Sequence, residues 1–281
     1  MLHAVFPAVG PVYDNGLGRI KDADVVLFGE VHDNPQHHIA QTEIVAALQP
    51  AAMVFEMTTR RQASVVSPDM IAEPDVMKAA LNWNESGWPD FAMYNPIFAA
   101  APEAKIFGTA IPRNEARATM ESGPTAVLGE AATQFGLLTP LEPDEQDARE
   151  ALQFAAHCDV LPRDMLPIMV DIQRLREAWL AQATLEAWDK AQGPVVVITG
   201  NGHARTDWSV PVYLAQVRPE LNVIALEQAE DCELSGAFDI TTDAPAVDSG
   251  DPCAGPFETT ADLALAGGAA APYGRHMAKL G

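Results

Sequence analysis

Apolar residues in this chain gather in short unbroken runs instead of alternating with polar ones. Five runs of strand length stand out: DVVLFGE (24–30), AAMVFEM (51–57), AKIFGTA (104–110), PVVVITG (194–200) and LNVIALE (221–227). A strand that is apolar at every position is buried on both faces, as in a parallel sheet covered by helices. The expected fold class is therefore α/β, a mostly parallel sheet flanked by helices.

Between the runs the pattern turns helical. Asn34 suits an N-cap and Pro35 a first turn; QHHIAQTEIVAAL then offers Ile39, Ala40, Ile44, Ala47 and Leu48 as an apolar stripe, with Pro50 past its end. His37 and His38 fall in the first turn, where exposure to solvent is the expected state. Residues 114–193 hold no strand-like run, too long a stretch for an ordinary crossover. DEQDAREALQFAAHC (144–158) and IQRLREAWLAQATLEAWDKA (172–191) carry helical periodicity, and Gly193-Pro194 stops the second. This predicts a smaller helical subdomain at 114–193, inserted into an α/β domain built from 20–113 and 194–240. GAFDITT (236–242) reads as an edge strand, and 241–281 as a loosely structured acidic tail.

Composition narrows the function classes. With 281 residues, 48% of them hydrophobic, the chain can bury a sizeable core. A formal charge of −22 repels phosphate backbones and anionic lipid, which argues against nucleic-acid and membrane-surface roles. Apolar runs such as VVLF and VVVI end too soon to span a bilayer, so an integral membrane protein is not expected. The first fifteen residues lack a basic n-region and are broken by Pro7 and Pro11, unlike a signal peptide; with no leader evident, the compartment stays open. Of three cysteines, Cys232 and Cys253 bracket a Pro/Gly/Asp-rich segment that a disulfide could clip, although free thiols account equally for the same letters; Cys158 sits in an apolar helical context.

In open α/β sheets ligands bind beyond the carboxyl ends of the strands. The first run exits through Glu30, Val31 and His32, the second through Glu56, the third toward Arg113, and the fourth through GNGH with His203. Glu30 and His32, two apart, project to one side of an extended chain. Gly200 and Gly202 suggest a tight turn of positive φ that lifts His203 over the sheet end. A lone Glu or His at a strand end is ordinarily a cap or a solvated loop residue; the joint occurrence of Glu30, His32, Glu56, Arg113 and His203 makes them the candidate catalytic set. His3 and His276 lie near the termini and carry no such signal.

Two chemistries remain in play. Residues 81–98 hold two Trp, two Phe and a Tyr, either a satellite core or the wall of a large flat pocket. Tyr94 there, and His157 in the helical insertion, are residue types that can ligate haem iron, so both are candidate cofactor contacts, though His157, Cys158 and Met165 also suit simple packing. Glu30, His32, Glu56 and His203 could instead hold a divalent metal ion and activate water, or act without metal through an imidazole base. GxGxxG, Walker A, HExxH, CxxC and GxSxG motifs are absent.

DADVVLFGEVHDNPQHH, MVFEM, GTAIPRNEAR, AWLAQATLEAW and GNGHARTDWSVPVYL resemble, in that order, the ChaN-like haem-binding uptake family, within the superfamily that includes Tiki/TraB-type proteins and erythromycin esterases. The resemblance runs from about residue 20 to 228, and GEVHDNP together with GNGH is its specific part. It implies an α/β domain with a smaller helical one, and a role in haem binding or iron acquisition. Glu30 and His32 match the first motif, Glu56 the second, Arg113 the third and His203 the last; Asp251-Pro252-Cys253 matches a late element of relatives. The chain departs from them at AQATLEAW, where a Met-Ala pair is common, and in lacking a lipoprotein leader. The implied partner is haem or an iron-containing small molecule, and a ligand face of that size is compatible with a homodimer. The alternative is a hydrolase of the Tiki or erythromycin-esterase type.

Overall fold

The computed structural model describes residues 13–111, 122–233, 235–250 and 253. Six strands form one parallel sheet: β1 (Val25–Glu30), β2 (Ala52–Phe55), β3 (Lys105–Gly108), β4 (Val195–Gly200), β5 (Val223–Glu230) and β6 (Ile240–Ala244). Their order across the sheet is β3-β2-β4-β1-β5-β6. The five apolar runs supply the first five strands, and β6 is the parallel edge strand read from GAFDITT. It continues through Ala244, so residues 241–244 are part of the sheet.

The principal helices are α1 (Tyr13–Lys21), α2 (Pro35–Leu48), α3 (Phe91–Ala100), α4 (Pro143–Ala156), α5 (Leu166–Ala191), the single turn α6 (Asn201–Ala204) and α7 (Val210–Val217). Strand positions alternate between two cores, as the period of two requires. Val26, Phe28, Met53, Phe55, Val196 and Ile198 pack with residues of α2 and α3. Val25, Leu27, Ala52, Val54, Val195 and Val197 pack with α5 and α7. Both faces are thus covered, which is why the runs are apolar throughout. Among the described residues no helix is long and apolar enough to cross a membrane.

Connections leave β1 toward β2 and leave β4 toward β5, in opposite directions across the sheet. The two strands are neighbours, in register from Val25 opposite Val195 to Glu30 opposite Gly200. Divergence of that kind opens a crevice at their carboxyl ends, where an α/β sheet places its site.

A disulfide joins Cys158, just past α4, to Cys253. Cys232 is exposed and free. The pairing of Cys232 with Cys253 suggested by spacing is therefore corrected: Cys232 lies in the turn after β5, its amide donating to Asp243, while the returning chain passes the end of α4. Residues 245–250 are tied down on the way, with Asn34 Nδ2 donating to the Pro245 carbonyl and Ser249 Oγ donating to Asp33 Oδ2.

Candidate functional site

Glu30 is the last residue of β1 and, by strand alternation, points to the α2 and α3 side. It is buried, and three groups donate to it: Gln41 at 2.7 Å to Oε2, the Tyr94 hydroxyl at 2.9 Å to Oε1, and His32 Nδ1 at 2.8 Å to the same oxygen. Burial alone would raise this carboxyl; the His38 and His32 imidazoles and the Gln41 amide outweigh it and bring the pKa down to about 2. An ionised carboxylate held by several donors behaves this way.

The stripe that α2 turns inward is not the one the apolar residues suggested. Asn34 caps the helix as expected, accepting from Gln36 N. The buried positions, however, are His37, His38, Gln41, Ile44 and Val45, while Ile39 is half exposed. Expected exposure of His37 and His38 is therefore corrected. The amino end of α2 packs over the polar end of β1, so its inward face must be polar there and becomes apolar one turn later. His37 Nδ1 accepts from Val31 N, and its Nε2–H donates to the Ala229 carbonyl. Burial holds it neutral, with a pKa lowered to about 4. His38 Nε2–H donates to the His32 carbonyl at 2.8 Å. The loop carrying His32 is thus fixed by both histidines.

With Nδ1–H given to Glu30, a neutral His32 presents a bare Nε2. Burial would lower its pKa, but the bond to Glu30 and the Glu56 charge raise it. Nε2 lies 4.0 Å from Glu56 Oε2. Gly200 makes room: a Cβ there would stand 3.0 Å from that nitrogen. Gly200 serves close approach, not a reversed turn. Its φ is −67°, and Asn201–Ala204 wind directly into a helical turn, so the expected positive-φ turn is corrected. Gly29 serves the same end on the opposite face, where a side chain would run into Asn201.

Glu56 follows β2 and accepts at Oε2 from Thr199 Oγ1 (2.7 Å) and Gly200 N (2.9 Å). Burial raises its pKa, but His203, His32 and these two donors prevail and lower it. His203 Nε2 lies 3.6 Å from Glu56 Oε1, and its Nδ1 lies 3.3 Å from Gln173 Nε2. The same Gln173 amide nitrogen reaches Glu177 Oε1 at 3.4 Å. A carboxylate only accepts, so the Gln173 NH2 faces Glu177 and donates also to His203 Nδ1. Neutral His203 therefore carries its proton on Nε2, aimed at Glu56. His32 and His203 stand in opposite tautomers across one carboxylate.

The structure brings Glu30, His32, Glu56 and His203 together; Arg113 lies outside the described residues, as do His3 and His276. Among the described residues, no group of three or more His, Cys, Asp or Glu side chains is arranged to hold a metal ion. Both oxygens of Glu30 and one of Glu56 are occupied as acceptors. Tyr94 is fully buried, its hydroxyl committed to Glu30; burial and that carboxylate raise its pKa well above the ordinary phenol value. His157 ends α4, buried, with Nδ1 at 2.7 Å from the Gln153 carbonyl. His32 is the more open imidazole, its side chain 21% exposed against 11% for His203, with the Trp88 ring edge-on at 4.8 Å. The imidazole thus fits an iron ligand, and the Tyr94 phenol does not.

Sequence reasoning missed Gln41, Gln173 and the structural role of Tyr94. Gln41 could have been found, because 37, 38, 41, 44 and 45 form one helical stripe if polarity is ignored. Nothing local marks Gln173, which reaches the sheet from the inserted helices.

The fold and the site define an α/β protein whose central crevice holds a pair of carboxylate-backed imidazoles. The chain belongs to the haem-binding uptake family ChaN of the Tiki superfamily, whose model matches residues 17–214. None of the curated proteins matches it. Among solved structures it is similar to the ChaN of Campylobacter jejuni described as binding haem cofacially, at TM-score 0.58 and 16% identity over 81% of this chain and 90% of that one. The type III effector HopBA1 aligns at TM-score 0.43 and 16% identity, covering 80% of this chain and 86% of that one.

Proposed function

We propose that this protein binds haem for iron uptake or iron homeostasis, with His32 Nε2 as the iron ligand. Membership of the haem-binding family supports the ligand class. The observation that carries the residue assignment is the 2.8 Å contact between His32 Nδ1 and the buried Glu30. A carboxylate behind an imidazole fixes its tautomer and strengthens the donor nitrogen on the other side. Haem, when bound, would supply a ferric iron as the Lewis acid, and His32 would be the residue that holds it. Glu30 holds the ring, Gln41 and Tyr94 hold Glu30, and Trp88 gives the ring an apolar neighbour.

Haemin titration followed by absorbance tests this. A saturable Soret shift is expected in the wild type, in Tyr94→Phe and in His157→Ala, and its loss in His32→Ala. Loss in Tyr94→Phe alone would overturn the ligand assignment, and no shift in the wild type would overturn haem binding. Sedimentation velocity with and without haemin tests whether a second copy joins the complex.

The Glu30–His32 pair also favours a second, metal-free reading, in which Nε2 acts as general base for water attack on an ester. Ester hydrolysis abolished in both His32→Ala and His203→Ala would support it; equal rates in all three proteins would dismiss it.

A further inference from the structure

Residues 245–250 leave β6 and run against the loop 31–34, which carries His32. Asn34 in that loop is wholly buried, and its Nδ2 uses both hydrogens, one on Glu230 Oε1 at 2.8 Å and one on the Pro245 carbonyl at 3.0 Å. Its Oδ1 accepts from Gln36 N as the cap of α2, the helix whose His38 holds the His32 carbonyl. Ser249 Oγ donates to Asp33 Oδ2 at 2.7 Å, and Ala246 N donates to Asp231 Oδ1 at 3.1 Å. The segment therefore touches both residues that follow His32.

Hydrogen bonds near the surface do not by themselves order a stretch of chain without regular structure. Here both ends are anchored. One end continues from Ala244, which pairs with Glu230 in the sheet; the other runs to Cys253, bonded to Cys158 at the end of α4. Fixing both ends of a short segment removes much of the entropy that its hydrogen bonds would otherwise have to overcome. Because α4 packs on α5 in the helical insertion, the disulfide ties the loop at the sheet end to the opposite part of the molecule. Cys158 and Cys253 are both partly exposed, so a soluble thiol can reach the bond.

We infer that residues 245–250 are a strap that the Cys158–Cys253 disulfide locks over the His32 loop, and that a dithiol reductant unlocks it and speeds release of what the loop holds. One thiolate of the dithiol attacks a sulfur of the disulfide to form a mixed disulfide, and its second thiol displaces the protein from it. The reductant closes its own disulfide, and the two electrons and two protons it gives up leave two thiols on the protein. The strap then keeps only its β6 anchor, and fraying from the released end passes Ser249 and reaches Pro245. A withdrawn Pro245 carbonyl leaves a buried N–H of Asn34 unpaired, which water satisfies by opening the loop. The lock stands on these contacts alone; its effect on ligand release rests on the haem reading above.

Hydrogen exchange tests the lock in a Cys232→Ser background, where a dithiol acts on one disulfide only. The amides of Asn34 and Gln36 report on the loop, since they donate to the Val31 carbonyl and to Asn34 Oδ1; those of Val26 and Phe28 in β1 report on the fold. Reduction by dithiothreitol should speed exchange of the loop amides by about tenfold and leave the strand amides unchanged. The cysteine-free chain, with Cys158→Ser and Cys253→Ser added, should behave like the reduced form with no reductant present. Equal loop exchange in oxidised and reduced protein would overturn the lock, and so would a common acceleration of loop and strand, which marks a general loss of stability. Haemin is then loaded onto the oxidised and the cysteine-free chains, neither of which offers a thiol to the iron, and its transfer to apomyoglobin is followed by absorbance. Release should be faster from the cysteine-free chain by about the factor seen in exchange. Equal release beside faster loop exchange would overturn the gating and leave the lock, and absence of any Soret shift in either chain would overturn the haem reading while the lock stands on exchange.

Discussion

Glu30 and Glu177 are equally hidden from water, each about 1% exposed, yet their acidities move in opposite directions. Burial pushes both upward, and at Glu30 it is overcome, giving a pKa of about 2, whereas at Glu177 it prevails despite Arg149. The difference lies in how closely each is held. Donors to Glu30 stand at 2.7 to 2.9 Å; those to Glu177, from Ser209, Arg149 and Gln173, stand at 3.2 to 3.4 Å. A formal positive charge alone does not compensate desolvation; short, well-aimed donors do. At the sheet end Glu30 is therefore ionised and held by short hydrogen bonds, whereas Glu177 in the helical insertion is held by longer ones.

Removing the tight side should cost most. Glu30→Ala leaves His32, Gln41 and Tyr94 without their acceptor, and urea unfolding should show a loss of about 4 kcal/mol. Acid titration comes next. His37, lowered to about 4 from 6.5, stabilises the fold above pH 6.5, and that contribution is lost as pH falls through 4; it is worth up to about 3 kcal/mol. Glu30, lowered to about 2 from 4.5, contributes above pH 4.5 and loses its contribution as pH falls through 2. A His37→Gln variant should lose the first decline and keep the second, as followed by thermal unfolding against pH. On the loose side, Glu177→Gln keeps the shape of a carboxyl whose pKa burial raises while removing its charge, and should cost only about 1 kcal/mol. Its sign with pH is reversed: the raised pKa of Glu177 stabilises the fold below pH 4.5 and that contribution is lost as pH rises, so the variant should flatten that slope. Smallest of all, Gln173→Ala should change stability by about 0.5 kcal/mol, while the ring 15N shifts of His203 reveal a mixture of tautomers where the parent has one.

The same contrast explains what was legible in the sequence. Strands β1 to β5 announced themselves because two-sided burial forces unbroken apolar runs, and the candidate residues Glu30, His32, Glu56 and His203 could be read because each follows such a run directly. The inward face of α2 could not be read from hydrophobicity, since burial there selects for hydrogen-bond partners of β1's end; Ile39 faces out while Gln41 faces in. Residues contributed from the insertion were invisible for a different reason. Gln173 on α5 meets His203, and Arg149 on α4 meets Glu177 and Trp208, only through tertiary packing, over separations in sequence that no local pattern encodes. The disulfide belongs with them, because its partner choice depends on where the chain returns.

That disulfide has a consequence for how the molecule comes apart. Between Cys158 and Cys253 run α5, β4, β5 and β6, so half the sheet's strands lie inside one covalent ring. A protease that cuts once anywhere in the ring opens it without releasing a fragment. The nicked protein would migrate as a full-length species on a non-reducing gel and separate into two pieces only when a reductant is added.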